Sequence, residues 1–127
     1  MTTHLIGYAG GEVFKSGVAG APIADFRFYD AMYSERYMGW TGEKDEILEP
    51  HWVNCSMIER YINENDMEGF TKAEYHLIHG TNDDNVHFQS AAQMEKALVA
   101  HGIDFDNFVS KIIILFFIAF SLISVLC

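Results

Sequence analysis

Three short stretches with strand character, residues 13–20 (VFKSGVAG), 75–78 (YHLI) and 103–108 (IDFDNF), are separated by segments whose apolar residues recur at helical spacing. No other feature constrains the fold as much. The first stretch ends at Ala21-Pro22, where proline cannot continue a ladder of backbone hydrogen bonds. Residues 25–39 then place Tyr29, Tyr33 and Tyr37 four apart, which puts them along one face of a helix. Residues 41–50 read as a polar, acidic loop and 54–63 as a further helix. Residues 90–101 follow helical spacing through Ala91, Met94 and Leu98, with Gly102 placed as the C-terminal cap. Strand, helices, strand, helix, strand is the order of a parallel α/β sheet, because parallel neighbours can be joined only by long crossovers.

With 127 residues the chain can build one domain around its own core, without needing disulfides or metal to hold it together. A formal net charge of -10 with only 8 Lys+Arg excludes a nucleic-acid partner, because phosphate binding is driven by clustered cations. Cys55 lies mid-chain and Cys127 is the last residue, which is no disulfide framework. The N-terminus carries no charged-then-apolar signal segment. Asn54-Cys55-Ser56 matches a glycosylation acceptor, which matters only in a secreted chain.

Composition breaks near Val109. Residues 1–108 are mixed and globular, whereas 112–127 read IIILFFIAFSLISVLC, sixteen residues without a charge. As a helix this run would span roughly 24 Å at ~1.5 Å per residue, short of the ~30 Å hydrocarbon core of a bilayer. Lys111 could snorkel at one end. The run reads as a short membrane anchor, a buried apolar segment, or sequence that is not native protein. Val109-Ser110 can be encoded by an intron donor sequence, and intron read-through is the reading we favour over an anchor for 109–127.

The turn-rich segment LIHGTNDDNVHFQ (77–89) puts two adjacent carboxylates, Asp83 and Asp84, just past a strand end, where open α/β sheets collect ligands and catalytic groups. One reading makes both of them turn formers, with Asp84 or Asn85 capping the next helix. Another makes one the acid that orients a catalytic histidine, in hydrolases whose triad runs Ser, Asp, His along the chain. A metal set of His76, His79, Asp83 and His87 is the third, and strand geometry opposes it: positions three apart face opposite sides.

Taken together, VFKSGVAGAPI (13–23), FYDAMYSERYMG (28–39) and LIHGTNDDNVHFQSAAQMEKAL (77–98) resemble the dipeptidyl peptidase IV and fibroblast activation protein branch of the prolyl oligopeptidase family. The most specific parts are Tyr33-Ser34-Glu35-Arg36-Tyr37-Met38-Gly39 and the segment around Asp83-Asp84-Asn85-Val86. The resemblance implies a fragment of an α/β-hydrolase fold with a mostly parallel sheet, covering 1–108, and no cofactor or metal. It makes Asp83 the triad acid, Asn85 a holder of the substrate carbonyl, and Asp84 structural. Tyr29 and Tyr33 would line a pocket for proline or alanine, with Ile23 and Val86 as its aliphatic wall. Phe26 stands where the family usually has tryptophan, which leaves that position aromatic. Asn54 falls where relatives also carry a glycosylation acceptor.

The resemblance also implies a longer parent enzyme. No serine here has the flanking glycines of a G-x-S-x-G elbow, and no histidine follows His101. Met1 would lie inside the helix after the elbow, and the catalytic histidine would lie beyond the strand ending near Phe108. The parent would be a homodimeric serine exopeptidase, secreted or on the extracellular face of the plasma membrane. It would act on peptides with penultimate Pro or Ala, and residues 112–127 would supply any membrane contact of this chain. The alternative is a catalytically dead relative serving as a membrane-associated interaction subunit.

Overall fold

The computed structural model describes residues 1–39, 49–63, 67–111 and 123–125. Helix α1 (Thr2–Ala9) leads through the left-handed Gly11 (φ 77°) into strand β1 (Phe14–Gly20). The inward positions of β1 are small. Ile6 lies fully buried over Gly17, where an added Cβ would come within 2.7 Å of the Ile6 side chain.

The crossover from β1 to β2 (Glu74–Gly80) carries a 3-10 turn (Phe26–Phe28), α2 (Ala31–Met38), α3 (Glu49–Cys55), a π-helical segment (Ile58–Asn63) and α4 (Glu68–Lys72). Helix α5 (Gln89–Ala100) then crosses to β3 (Asp106–Ser110). The sheet order is β3-β2-β1-β4, with β1 parallel to β2 and β2 parallel to β3. The short β4 (Ile123–Val125) pairs antiparallel with β1, with an irregular register between Phe14 and Ser16.

The core lies between β2 and the helices, built on the fully buried Tyr75, Leu77, Met94 and Leu98. Burying each such side chain is worth about 1.5–3 kcal/mol. Alternation along β2 turns Tyr75, Leu77 and His79 to the buried face and leaves His76 and Ile78 half-covered. Phe70 meets Tyr75 edge-on at 5.2 Å, and the Tyr75 hydroxyl shares a 2.9 Å hydrogen bond with Thr3 of α1.

All three expected strands are present and parallel, the third beginning at Asp106 and not at Ile103, and Gly102 ends α5 in the left-handed conformation (φ 65°). The expected helix over 25–39 is cut in two. Asp25 accepts a hydrogen bond from the Arg27 amide (2.8 Å) and Asp30 from the Tyr33 amide (2.8 Å), so each opens its own element and Tyr29 falls between them. The expected helix over 54–63 is likewise divided, because the buried Ser56 captures the Glu59 amide at 3.2 Å. Most of the loop expected over 41–50 lies outside the described residues, and α3 has already begun at Glu49. Neither Asp84 nor Asn85 caps α5, whose cap position is Phe88. Strand β3 runs through Val109 and Ser110, past the compositional break at 108/109, because parallel pairing with His79 and Gly80 of β2 extends that far.

Helices α1 and α4 touch backbone to backbone. A Cβ on Gly69 would sit 2.1 Å from the Ile6 carbonyl oxygen and 2.4 Å from that of Gly7. Rigid backbone cannot yield there, so Gly69→Ala is expected to destabilise the fold by about 1–3 kcal/mol, read from the urea unfolding midpoint. Gly20→Ala, with nothing within 4 Å of the new methyl, should leave the midpoint nearly unchanged.

Candidate active site

Strand β2 ends at Gly80, and the chain turns at once: the Asp83 amide donates to the Gly80 carbonyl at 3.2 Å. The turn draws the Asp83 side chain inward, to 4 % exposure, and leaves Asp84 exposed. Oδ1 of Asp83 accepts from the backbone amides of Asn85 (3.0 Å) and Val86 (2.9 Å). Its Oδ2 is equally buried and has no hydrogen-bond partner among the described residues. An unsatisfied buried acceptor costs about 1–3 kcal/mol. A carboxylate held by one oxygen and open at the other is set to receive an N–H from a further group.

The tyrosine row joins this turn. The Tyr29 hydroxyl donates to Asn85 Oδ1 at 3.1 Å, and the Tyr29 ring meets Tyr33 edge-on at 5.6 Å. Tyr37 continues the row, 4.7 Å from Tyr33. Asp83, Asn85, Val86, Tyr29 and Tyr33 thus form one connected set, with Val86 buried and Tyr33 47 % exposed. Ile23 and Phe26 are half-buried on the segment leaving β1. The Phe26 carbonyl accepts from Ser34 Oγ at 3.0 Å, which fixes the 3-10 turn to α2.

His76 and His79, named above as metal candidates, face opposite sides of β2. His76 Nδ1 lies 2.9 Å from Asp106 on β3, and His79 is fully buried with Nε2 2.7 Å from the Val86 carbonyl. No group of three or more His, Cys, Asp or Glu could hold a metal ion among the described residues. Asn54 is exposed in the last turn of α3, while Ser56, the third residue of that acceptor, is fully buried.

The profile of the prolyl oligopeptidase family matches residues 1–111. The chain belongs to the prolyl oligopeptidase family. It is 45% identical over 107 residues to dipeptidyl peptidase 4 of Sus scrofa, covering 84% of this chain and 13% of the pig protein. Over 98 residues it is 45% identical to prolyl endopeptidase FAP of Mus musculus, covering 77% of this chain and 12% of the mouse protein. The crystal structure of Porphyromonas gingivalis dipeptidyl peptidase 4 superimposes with a TM-score of 0.64 at 31% identity, over 77% of this chain and 12% of that one. The chain therefore spans about an eighth of the length of the relatives it matches. Its three parallel strands and their helices are part of the α/β-hydrolase fold of this branch of the prolyl oligopeptidases.

Sequence reasoning missed the clamp that holds the aromatic segment of this family member. Asp25 is fully buried, and Arg27 grips both its oxygens: Nε lies 2.9 Å from each, and Nη2 also reaches Oδ2. The same Nη2 donates to Glu59 Oε1 at 2.9 Å, tying the 3-10 turn to the π-helical segment. Burial pushes the Asp25 carboxyl up, but hydrogen bonds from Arg27 and Ser56 more than reverse this, and it ends below its ordinary value. Its hydrogen bonds to the Asp25 carboxylate hold the Arg27 guanidinium above its own ordinary value. The alternation Asp-Phe-Arg was visible in the sequence, but the distant partner, Glu59, was not.

Because the folded carboxyl of Asp25 is depressed, its stabilisation is present above the unfolded carboxylate range. It is lost as pH falls through the folded value. Asp25→Asn should cost about 1–3 kcal/mol at pH 7, a range held down by the partial exposure of Arg27. The gap between wild type and variant in the unfolding midpoint should close as pH is lowered below about 4. A gap that stays constant with pH would rule out the ionised clamp.

Proposed function

We propose that this chain is the acid-bearing and pocket-forming part of a serine exopeptidase that releases N-terminal dipeptides after Pro or Ala. The observation that carries the reading is the Asp83 carboxylate, buried, held at Oδ1 by two backbone amides and without a partner at Oδ2 among the described residues. In a Ser-Asp-His triad the acid needs this arrangement. It must be fixed in orientation and must present one free oxygen to the imidazole N–H, so that the histidine keeps its productive tautomer and its positive form is stabilised. Asp84, exposed on the same turn, takes no part.

The aromatic row supplies the other half of the site. Proline has no polar handle, so a pocket for it is built from aromatic and aliphatic surface with few polar groups at the rim. Tyr29 and Tyr33 present that surface beside Val86, with Ile23 and Phe26 on the adjoining segment. The hydrogen bond from Tyr29 keeps the Asn85 side chain at the edge, where it can hold a substrate carbonyl. The relatives named dipeptidyl peptidase 4 and prolyl endopeptidase FAP support a substrate of this class.

The nucleophile and the histidine come from segments that this sequence does not contain, so the chain alone is expected to leave a Gly-Pro chromogenic substrate intact. The longer peptidase is a secreted or cell-surface homodimer with Asn54 as a glycosylation acceptor. Among the described residues no helix is long and apolar enough to cross a membrane, and of residues 112–127, where membrane contact was expected, only 123–125 are described, as β4. The deciding experiment is steady-state kinetics of the longer peptidase. Asp83→Asn should lower kcat by ~10⁴-fold, the scale known for that change in another serine protease, and Asp84→Asn by far less. Tyr33→Ala should impair cleavage after proline. Equal losses at Asp83 and Asp84, with folding checked by circular dichroism, would overturn the assignment.

A further inference from the structure

We propose that His79 is a positioning residue, which locks Val86 so that the acid of the triad keeps one oxygen free. This rests on the reading of Asp83 given above.

His79 is the last side chain on the buried face of β2, after Tyr75 and Leu77, and is fully enclosed. An apolar residue there would bury no ring nitrogen, but it would take the donor away from the Val86 carbonyl. The imidazole instead leaves Nδ1 buried and without a partner among the described residues. What it gains is one hydrogen bond, from Nε2 to the Val86 carbonyl at 2.7 Å. A carbonyl can only accept, so Nε2 carries a proton and is the donor. Phe88 meets the ring edge-on at 5.6 Å, which restrains its rotation.

Val86 is thereby held from both sides. Its amide donates to Asp83 Oδ1 at 2.9 Å, and its carbonyl accepts from His79. With both peptide planes fixed, the amide cannot swing away from Oδ1, and the carboxylate cannot rotate to exchange its two oxygens. The geometry makes the rigid end of β2, through His79, the support for the orientation of Oδ2. The turn alone would leave that orientation to two amides on a mobile peptide. Val86 is also the aliphatic wall proposed for the pocket, so the same lock fixes acid and wall together.

Two measurements test this. The first, amide hydrogen exchange on the full 127-residue chain, is independent of activity. His79→Phe keeps the ring and its contact with Phe88 but removes the donor. It should speed exchange at Val86 and Asn85 by roughly 10-fold relative to Leu77 in the strand. His79→Gln, whose amide nitrogen can reach the same carbonyl, should restore slow exchange. Where the Phe variant does not fold, His79→Asn, one methylene too short to reach, gives the same contrast with Gln. Unchanged exchange, or equal acceleration across β2, overturns the proposal.

The second measurement is kinetic, in the longer peptidase. His79→Phe should lower kcat by about 10- to 100-fold, the scale of a small misplacement of a catalytic group, with KM nearly unchanged. In an Asp83→Asn background the same substitution should cost little more, because it acts through Asp83. An undiminished loss in that background, or a loss carried by KM, overturns the positioning role. Failure of the peptidase reading is seen separately, as activity insensitive to Asp83→Asn or absent from the wild-type enzyme.

Discussion

The pairing of β2 on both edges is the constraint from which the rest of the structure follows. A buried strand must satisfy every backbone N–H and C=O, and β2 does so by lying parallel between β1 and β3. Parallel pairing requires long crossovers, which is why helices occupy the chain between the strands. It also sends both neighbours in the same direction, so their carboxyl ends open at one edge of the sheet. The turn after Gly80 leaves the sheet at that edge, with the Thr81 amide donating to Ser110 of β3 at 2.7 Å. Asp83 inherits its position from this geometry. Substitutions that loosen β2 at Tyr75 or Leu77 act on the site as well as on stability.

The sheet was legible in the sequence because its signals are local. A run of small and β-branched residues ending in Ala-Pro, a Tyr-His-Leu-Ile stretch ending in glycine, and a period-two pattern over 103–108 each identify a strand without reference to the others. The helices were less legible where side chains compete with the backbone. Asp25, Asp30 and Ser56 each capture an amide, and each interrupts a periodic pattern that reads as continuous. Helix α4, with five residues, is too short for any period to emerge. Nor could β4 be read, since its three residues sit in a long uncharged, mostly apolar run.

The candidate site divides along the same line. Asp83 and Asp84 are neighbours with the same chemistry, and local pattern treats them alike as turn formers. Only the resemblance to the prolyl oligopeptidases separated them in the sequence. The structure separates them physically, one buried on two amides and the other exposed. The tyrosine row was visible as a spacing of four, although Tyr29 belongs to the turn before α2 and reaches the row through its ring. The clamp of Arg27 on Glu59 and the contact of His79 with Val86 had no sequence signal, since each joins residues whose proximity only the folded chain creates.

Among the described residues, two buried polar atoms lie without a partner on either side of Val86: Oδ2 of Asp83 and Nδ1 of His79. At about 1–3 kcal/mol apiece such atoms weigh heavily against the net stability of a domain, which is roughly 5–15 kcal/mol. Each is offset in part by the partners of the same side chain, the amides of Asn85 and Val86 on Oδ1 and the Val86 carbonyl on Nε2. The surrounding core offsets the loss, since each large side chain buried on β2 and α5 returns a comparable amount. The two costs differ in kind. That at Asp83 is provisional, because a donor brought to Oδ2 by the rest of a catalytic domain would remove it. That at His79 is borne by the residue proposed to hold the Val86 carbonyl. In the proposed triad one cost falls on the support and the other on the reacting edge, as a preorganised acid requires. The orientation of the proposed acid would then be set before an imidazole arrived, with none of the interaction spent on ordering the turn.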